Sequence, residues 1–185
     1  MSAPAAFHKR ASGERTVHVI QGEFNVSGDP QVVLSTVLGS CVAVCMRDPV
    51  RKIGGMNHFL LPYAKERGGD SKKYGAFAME LLINKLLRGG AQRDRLEAKV
   101  FGGACITEGL GDIGGSNVEF ARRFLTTESV PIVSESVGGV SARRVKFWPV
   151  DGRARQLLIA PDETLRRRET EAPAPTPADD DIEFF

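Results

Sequence analysis

The feature that most constrains the fold of this 185-residue chain is a set of three apolar runs, which lie within residues 32–61 and are separated by short turns. Val32 to Leu38 leads into Gly39-Ser40, where the backbone can bend sharply, and the second run ends at the Asp48-Pro49 turn. Apolar runs bounded by turn residues are typical of buried strands. We therefore predict three consecutive strands, over residues 32–38, 42–46 and 53–61.

A thiol follows the bend, and an imidazole lies in the third run. Cys41 comes directly after Gly39-Ser40, and His58 stands among glycines and apolar residues. Two strands joined by a tight turn lie side by side, so the start of one can face the end of the other. We therefore predict that Cys41 and His58 come together, which is the pairing that a thiolate nucleophile needs.

Plainer interpretations of these residues stay open at this point. A cysteine beside apolar residues is more often a small buried hydrophobe, and a histidine there is often a satisfied core residue. Cys45 lies inside the apolar run and is interpreted as core, whereas Cys105 can line the site but has no evident base. A zinc site is conceivable from Cys41, Cys45, His58 and Cys105. The Cys-x-x-x-Cys spacing without a second close ligand pair is, however, a weak metal signal.

The rest of the chain alternates strands with two helices. Residues 74–88 carry apolar side chains at the helical period, and Gly89-Gly90 ends this helix as a left-handed C-cap does. A second helix is predicted from an N-cap at Ser116 or Asn117 to about Thr126. Further strands are predicted at residues 16–21, 98–101, 130–133, 144–148 and 156–159, the last two joined by an Asp-Gly hairpin turn. Mixed strands with two helices predict a layered α/β or α+β domain.

Composition narrows the class of protein. A hydrophobic content of 42% and a charged content of 26% are those of a soluble globular protein. No apolar stretch approaches the ~20 residues that span a membrane. The polar, basic start is not a signal peptide, and three scattered cysteines do not suggest a disulfide framework. We therefore expect a cytoplasmic protein.

The two ends differ from the middle in composition and charge. Residues 1–14 are expected to be disordered, residues 15–161 to form the domain, and residues 162–185 to form a disordered Pro-rich linker. The linker region carries three basic and eight acidic side chains, net −5, which leaves +7 on residues 1–161. This basic charge favours an acidic partner. The terminal acidic Phe184-Phe185 motif is either a solubilising end or a peptide that docks its phenylalanines in a pocket.

Several separated motifs together resemble the CheD family, the bacterial chemoreceptor glutamine deamidases. In chain order they are LGSCVAV at 38–44, GGMNHFLLP at 54–62, KYG at 73–75, FGGA at 101–104, IGGSN at 113–117, and GG at 138–139 with Arg143. The resemblance extends over about residues 16–160 and is more specific than any single motif. It implies a single-domain three-layer α/β/α sandwich, similar to the deamidase domain of cytotoxic necrotizing factor toxins.

The resemblance also implies the catalytic residues, which in the family are a Cys, a His and a Thr. The Cys falls on Cys41 and the His on His58. The family Thr lies six residues before the Cys, a position held here by Ser35, whose hydroxyl is expected to orient the imidazole. Because side chains alternate along a strand, the neighbouring Thr36 is expected to point away. A second departure is Ser136, where relatives commonly have Asp.

The activity implied is that of a protein-glutamine glutaminase. It converts glutamines on the cytoplasmic helical bundle of methyl-accepting chemoreceptors to glutamate through a Cys thioester, with no metal or organic cofactor. Backbone N–H groups around Ser40-Cys41 are expected to hold the oxyanion. No nucleic acid and no membrane insertion are implied, and the place of action is the receptor array. Some family members bind the phosphatase CheC, so one alternative is a non-catalytic adaptor. Another is an unrelated thiol hydrolase or redox protein that uses Cys41 and Cys45.

Overall fold

The computed structural model describes residues 13–61, 70–106 and 112–159. Within these ranges the chain forms nine strands, two α-helices and a 3-10 turn at Arg93–Arg95. The strands are β1 (Arg15–His18), β2 (Phe24–Ser27), β3 (Val32–Leu38), β4 (Val42–Asp48), β5 (Ile53–Phe59), β6 (Glu97–Gly102), β7 (Ile132–Val137), β8 (Ala142–Phe147) and β9 (Ala154–Ile159). The helices are α1 (Asp70–Arg88) and α2 (Ile113–Thr127).

The strands belong to two sheets, ordered β1-β3-β8-β9 and β2-β5-β4-β6-β7. The three consecutive runs predicted from the sequence are therefore divided between them. β3 pairs with β1 and β8, whereas β4 and β5 pair with each other in the second sheet. The bend at Gly39-Ser40 carries the chain from one sheet to the other, so Cys41 lies where the two sheets meet.

The five-stranded sheet buries both of its faces, and alternation along β4 divides its side chains between two cores. Val42, Val44 and Met46 pack against helices α1 and α2. Ala43 and Cys45 point the opposite way and pack against the four-stranded sheet. This second core, called the inter-sheet core here, consists of Val19, Val32, Leu34, Leu38, Ala43, Cys45, Met56, Phe101, Val145 and Phe147.

The expectation of one α/β domain is confirmed, but the order of the layers differs from the α/β/α sandwich. In the described ranges the layers are a sheet, a second sheet and then both helices. Nearly continuous burial along β4 shows that both faces of this strand are covered. It does not distinguish a covering sheet from a covering helix, so the sequence pattern could not predict the layer order.

Most element positions agree with the sequence prediction, and several details differ. β1 ends at His18 rather than at residue 21, and α1 begins at Asp70 rather than at residue 74. β2 was not predicted; its four residues pair with β5 at the edge of the sheet. Helix α2 begins at Ile113 rather than near Ser116, because the Asp112 side chain caps it by accepting a hydrogen bond from Gly115 N–H at 2.7 Å. β7 lies over Ile132–Val137, later than predicted. The left-handed cap after α1 is confirmed by Gly90, at φ +97°.

The two ends of the chain lie largely outside the described residues. The disordered start and the Pro-rich acidic terminus therefore stay predictions, as do the proposed domain limits. Neither helix within the described ranges is long and apolar enough to cross a membrane.

Candidate active site

Cys41 and His58 lie on the same face of the five-stranded sheet. In the antiparallel pairing of β4 with β5, Ala43 is opposite His58. Cys41 is two residues before Ala43, so its side chain shares the face of Ala43 and is a diagonal neighbour of the imidazole. His58 is only 6% exposed, and the partly exposed Cys41 packs against the inter-sheet core. The hairpin therefore places a thiol and an imidazole as neighbours.

The four-stranded sheet supplies a hydroxyl to this imidazole. Thr36 Oγ1 lies 2.7 Å from the Val19 carbonyl oxygen and 2.9 Å from His58 Nδ1. A carbonyl can only accept, so the Thr36 hydroxyl donates to Val19 and its oxygen accepts from Nδ1–H of His58. The proton is thus assigned to Nδ1 by the hydrogen-bond network. His58 Nε2 is left with its lone pair, buried and without a hydrogen-bond partner among the described residues.

Thr36 thus occupies the place that the sequence analysis gave to Ser35, and the expectation that Thr36 points away was wrong. Alternation along β3 holds, but its phase is set by the residues that belong to the inter-sheet core, Val32, Leu34 and Leu38. Thr36 shares their face, whereas Ser35 faces the other side of the sheet, between His18 and Lys146 in the register. Ser35 was chosen by the family spacing of six residues before the Cys, whereas the hydroxyl that bonds the imidazole here lies five residues before Cys41.

Burial favours the neutral forms of both groups. It raises the pKa of the Cys41 thiol above the ordinary value of 9.0, although the residue's own backbone N–H partly offsets this. It lowers the pKa of His58 below the ordinary 6.5, although the Val19 carbonyl opposes the shift. At neutral pH the pair therefore rests as a thiol and an uncharged imidazole, which can accept a proton at Nε2.

The bend that carries Cys41 is fixed by the glycine-rich segment after β6. Gly103 N–H donates to the Cys41 carbonyl at 2.8 Å, and Ala104 N–H donates to the Gly39 carbonyl at 2.9 Å. Gly102 has φ +111°, and a Cβ on it would lie 2.1 Å from the Cys41 carbonyl oxygen. Only glycine fits there. The FGGA motif therefore fixes the backbone conformation at Cys41.

Comparison with known proteins places the chain in a family. Residues 60–156 match the family model described as CheD chemotactic sensory transduction. A protein of Caulobacter sp. strain K31, named probable chemoreceptor glutamine deamidase CheD, is 61% identical over 173 residues, with 91% of this chain and 92% of that protein covered. This chain belongs to the CheD family. Relatives with the same name are 58% identical in Caulobacter vibrioides strain NA1000, at the same coverage, and 54% identical in Rhizobium rhizogenes strain K84, over 92% of this chain and 96% of that protein.

In this CheD-family chain, a buried amide side chain connects the segments that carry the thiol and the imidazole. Asn117 was considered as a helix cap, but it lies inside α2 and is fully buried. Its Oδ1 accepts from Leu61 N–H at 2.8 Å, and its Nδ2 donates to the Ser40 carbonyl at 2.9 Å. One amide therefore joins the segment after His58 to the residue before Cys41. The IGGSN motif thus connects the two segments that carry the Cys41 thiol and the His58 imidazole.

Gln21 is a site residue that the sequence analysis missed. The Cys41 thiol donates a hydrogen bond to Gln21 Oε1 at 3.4 Å, and no such bond joins the thiol to His58. Gln21 lies in the turn between β1 and β2, and that turn is bonded to the backbone of His58 on both sides. Gly22 N–H donates to the His58 carbonyl at 2.7 Å, and His58 N–H donates to the Glu23 carbonyl at 3.0 Å.

The other two cysteines take no part in this arrangement. Cys45 is 1% exposed in the inter-sheet core, which confirms its interpretation as core, and burial raises the pKa of its thiol. It lies four residues from Cys41 along an extended chain, roughly 13 Å, too far for a disulfide. Cys105 is exposed and donates its backbone N–H to the Gly139 carbonyl at 2.8 Å. In the ranges that the structure describes, no three His, Cys, Asp or Glu side chains group as metal ligands do.

Ser136, the second departure from the family pattern, belongs to a structural network. Its carbonyl accepts from Arg143 Nη1 at 2.5 Å, and its hydroxyl accepts from Gln156 Nε2 at 2.8 Å. Arg143 also donates to the Gly138 carbonyl. The buried guanidinium thus holds the loop that receives Cys105 N–H.

Proposed function

We propose that this chain is a protein-glutamine glutaminase acting on chemoreceptors, with Cys41 as nucleophile, His58 as base and Thr36 as the group that orients the imidazole. One observation carries the proposal: His58 Nε2 is buried without a partner among the described residues, on the same face as the Cys41 thiol, while Nδ1 is bonded to Thr36. The relatives named chemoreceptor glutamine deamidase support the substrate class.

The first half of the reaction forms a thioester. His58 Nε2 takes the Cys41 proton as the sulfur attacks the carbonyl carbon of a glutamine side chain, and the carbonyl electrons move to oxygen. The tetrahedral intermediate then collapses, and the imidazolium returns the proton to the departing nitrogen, so that ammonia leaves. Thr36 supports both steps because its hydroxyl oxygen accepts from Nδ1–H and fixes the tautomer.

The second half releases glutamate. The neutral imidazole removes a proton from water, the hydroxide adds to the thioester carbonyl, and the thiol leaves with the proton held at Nε2. The amide has become a carboxylate, which adds one negative charge to the receptor. Every proton movement uses the same nitrogen, so no metal or organic cofactor is required.

The proposed place of action is the cytoplasm, at receptor arrays. Residues 1–161 carry net charge +7, and this favours approach to an acidic helical surface. Binding of a CheC-type phosphatase and docking of the acidic Phe184-Phe185 end stay predictions. The first is checked by testing whether the purified full-length chain captures a CheC-type phosphatase. The second is checked by testing whether a chain truncated after residue 169 loses a partner that the full-length chain captures.

The decisive experiment is intact-mass analysis of a chemoreceptor cytoplasmic fragment incubated with the chain. We expect each modified glutamine to gain the mass difference between an amide and an acid, and peptide mapping to locate the sites. Cys41→Ala should abolish the gain, and Cys105→Ala is the matched control that should preserve it. If no fragment from the same cell gains mass, the chain is not a deamidase of those receptors, and the adaptor alternative takes its place.

A further inference from the structure

Gln21 is hydrogen-bonded to the sulfur of Cys41, and it has no role in the thioester mechanism proposed for this chain. Its Oε1 accepts from the Cys41 thiol at 3.4 Å, and its side chain is solvent-exposed. An incoming glutamine side chain must approach the same sulfur. Gln21 therefore lies at the entrance through which the substrate amide reaches the thiol.

The backbone around Gln21 is held firmly. Glu23 N–H donates to the Ile20 carbonyl at 3.0 Å, which closes a four-residue turn with Gln21 and Gly22 at its centre. Gly22 has φ +88°, as the third residue of a type II turn requires. Two further hydrogen bonds attach this turn to the His58 backbone. The position of Gln21 relative to the base is thus set by the fold, while its amide can still rotate.

The reaction needs a hydrogen-bond donor at this point. When Cys41 attacks, negative charge develops on an oxygen bonded to the carbon that the sulfur has joined, so a group touching Sγ is also near this oxyanion. The Cys41 backbone N–H belongs to the same residue as the attacking sulfur, and it is the first donor that we assign to this oxyanion. Oxyanion holes commonly combine a backbone N–H with a side-chain amide.

We propose that Gln21 is a further catalytic residue that donates the second hydrogen bond to the oxyanion, a role that rests on the thiol chemistry of the proposed function. At rest, Oε1 accepts the thiol proton. Once His58 Nε2 has taken that proton, the sulfur no longer donates, and rotation about the last side-chain bond turns Nε2–H of Gln21 toward the new negative charge. Gln21 thus gives the amide-hydrolysing thiol a donor that forms its bond as the charge appears.

Two small probes test this without a receptor. Acylation of Cys41 by p-nitrophenyl acetate passes through an oxyanion, whereas alkylation by iodoacetamide displaces iodide directly and forms none. Using the full-length chain, we expect Gln21→Ala to slow acylation about tenfold or more while alkylation changes less than about twofold. Gln21→Glu, similar in shape but without a donor, should slow acylation at least as much. Gln31→Ala, at another exposed glutamine, is the matched control and should alter neither rate.

Turnover on a receptor fragment gives the second readout. Gln21→Ala should lower kcat by about 10²-fold with little change in KM, because the bond is made only after attack. If acylation and kcat stay within about twofold of the unaltered chain, or if turnover rises because Gln21 merely obstructs the thiol, the proposal is overturned.

The two assays also separate this inference from the proposed function. Selective loss of acylation in a chain that deamidates no receptor would overturn the function and retain Gln21 as an oxyanion donor. Normal acylation and normal deamidation by Gln21→Ala would retain the proposed function and overturn the role of Gln21 as an oxyanion donor. Equal loss of both probe reactions would overturn the donor role, since it would show that Gln21 only positions the thiol.

Discussion

The hairpin of β4 and β5 carries a buried polar cluster at each end, and the two clusters differ in one respect. At the turn, Asp48 is fully buried and accepts from Val50 N–H and Arg51 N–H at 2.9 Å each. It also accepts from Gln92 N–H at 2.9 Å and from Arg95 Nε at 3.2 Å. Burial alone would raise the pKa of Asp48, but these donors hold it below the ordinary 3.8.

At the open end of the same hairpin, His58 has only half of its hydrogen-bonding capacity met. Nδ1 is bonded, whereas the buried Nε2 has no hydrogen-bond partner in the part of the chain that the structure describes. Leaving a buried polar atom unpaired destabilises a fold, and such atoms are few in native proteins. The satisfied carboxylate therefore serves stability. Nε2 of His58 and Nε of Arg143 are both buried without a partner among the described residues, and of these two the imidazole shares a face with the Cys41 thiol.

The largest expected effect is a loss of activity when His58, in the cluster at the open end of the hairpin, is replaced. His58→Gln should lower kcat by about 10²–10⁴-fold, because the proton acceptor is lost. Its free energy of unfolding should fall by only about 0.5–1.5 kcal/mol, because the hydrogen bond that Nδ1 makes with Thr36 is lost. Receptor-fragment turnover and denaturant unfolding of the same preparation check this. Near-normal turnover would remove His58 from the mechanism.

The opposite effect is expected at Asp48, where a substitution should lower stability and leave activity unchanged. Asp48→Ala leaves three backbone N–H groups and Arg95 without their acceptor, and should lower the free energy of unfolding by about 3–5 kcal/mol. Activity per folded molecule should be retained. The control is Asp94→Ala in the neighbouring 3-10 turn, where the carboxylate is exposed. Chemical denaturation measures both variants, and equal stability of the two would contradict the difference in burial.

A smaller effect distinguishes two adjacent hydroxyls. Thr36→Val keeps the shape of the side chain but removes the nearer of two acceptors for His58 Nδ1–H, leaving the Val19 carbonyl oxygen at 3.3 Å, and should lower kcat on the order of 10²-fold. Ser35→Ala should leave kcat within about twofold, because its hydroxyl faces the other side of β3. The opposite result would restore the role first predicted for Ser35.

The smallest effect is a pH dependence. His58 works when neutral, so kcat/KM should fall as pH falls through its pKa, below 6.5. No rise is expected between neutral pH and 9.0, because the pKa of Cys41 lies above that value. In stability, the unfolded chain binds a proton at His58 before the folded chain does, so the free energy of unfolding should decrease as pH drops below 6.5. An acid limb centred above 6.5 would contradict the burial of the imidazole.

The sequence predicted the parts of the site that depend on local pattern. Apolar runs and turn residues placed β3, β4 and β5, and the hairpin between them brought Cys41 and His58 together. Thr36 was missed because the family spacing pointed to Ser35, and the apolar pattern of β3, buried on both faces, did not show which face meets His58. Gln21 was missed because its contact spans twenty residues and comes from a turn whose hydrogen bonds are to a distant strand. The layer order was missed because burial alone does not identify the covering element.

The hydroxyl and the imidazole that it orients belong to different sheets, Thr36 to the four-stranded sheet and His58 to the five-stranded sheet. No covalent segment fixes their separation directly; the inter-sheet core does. The hydrogen bond between them therefore holds only while the two sheets pack in native register. In the mechanism that we propose, a chain whose core has loosened would keep its secondary structure and its thiol but lose control of the His58 tautomer, so activity should be lost before unfolding is visible.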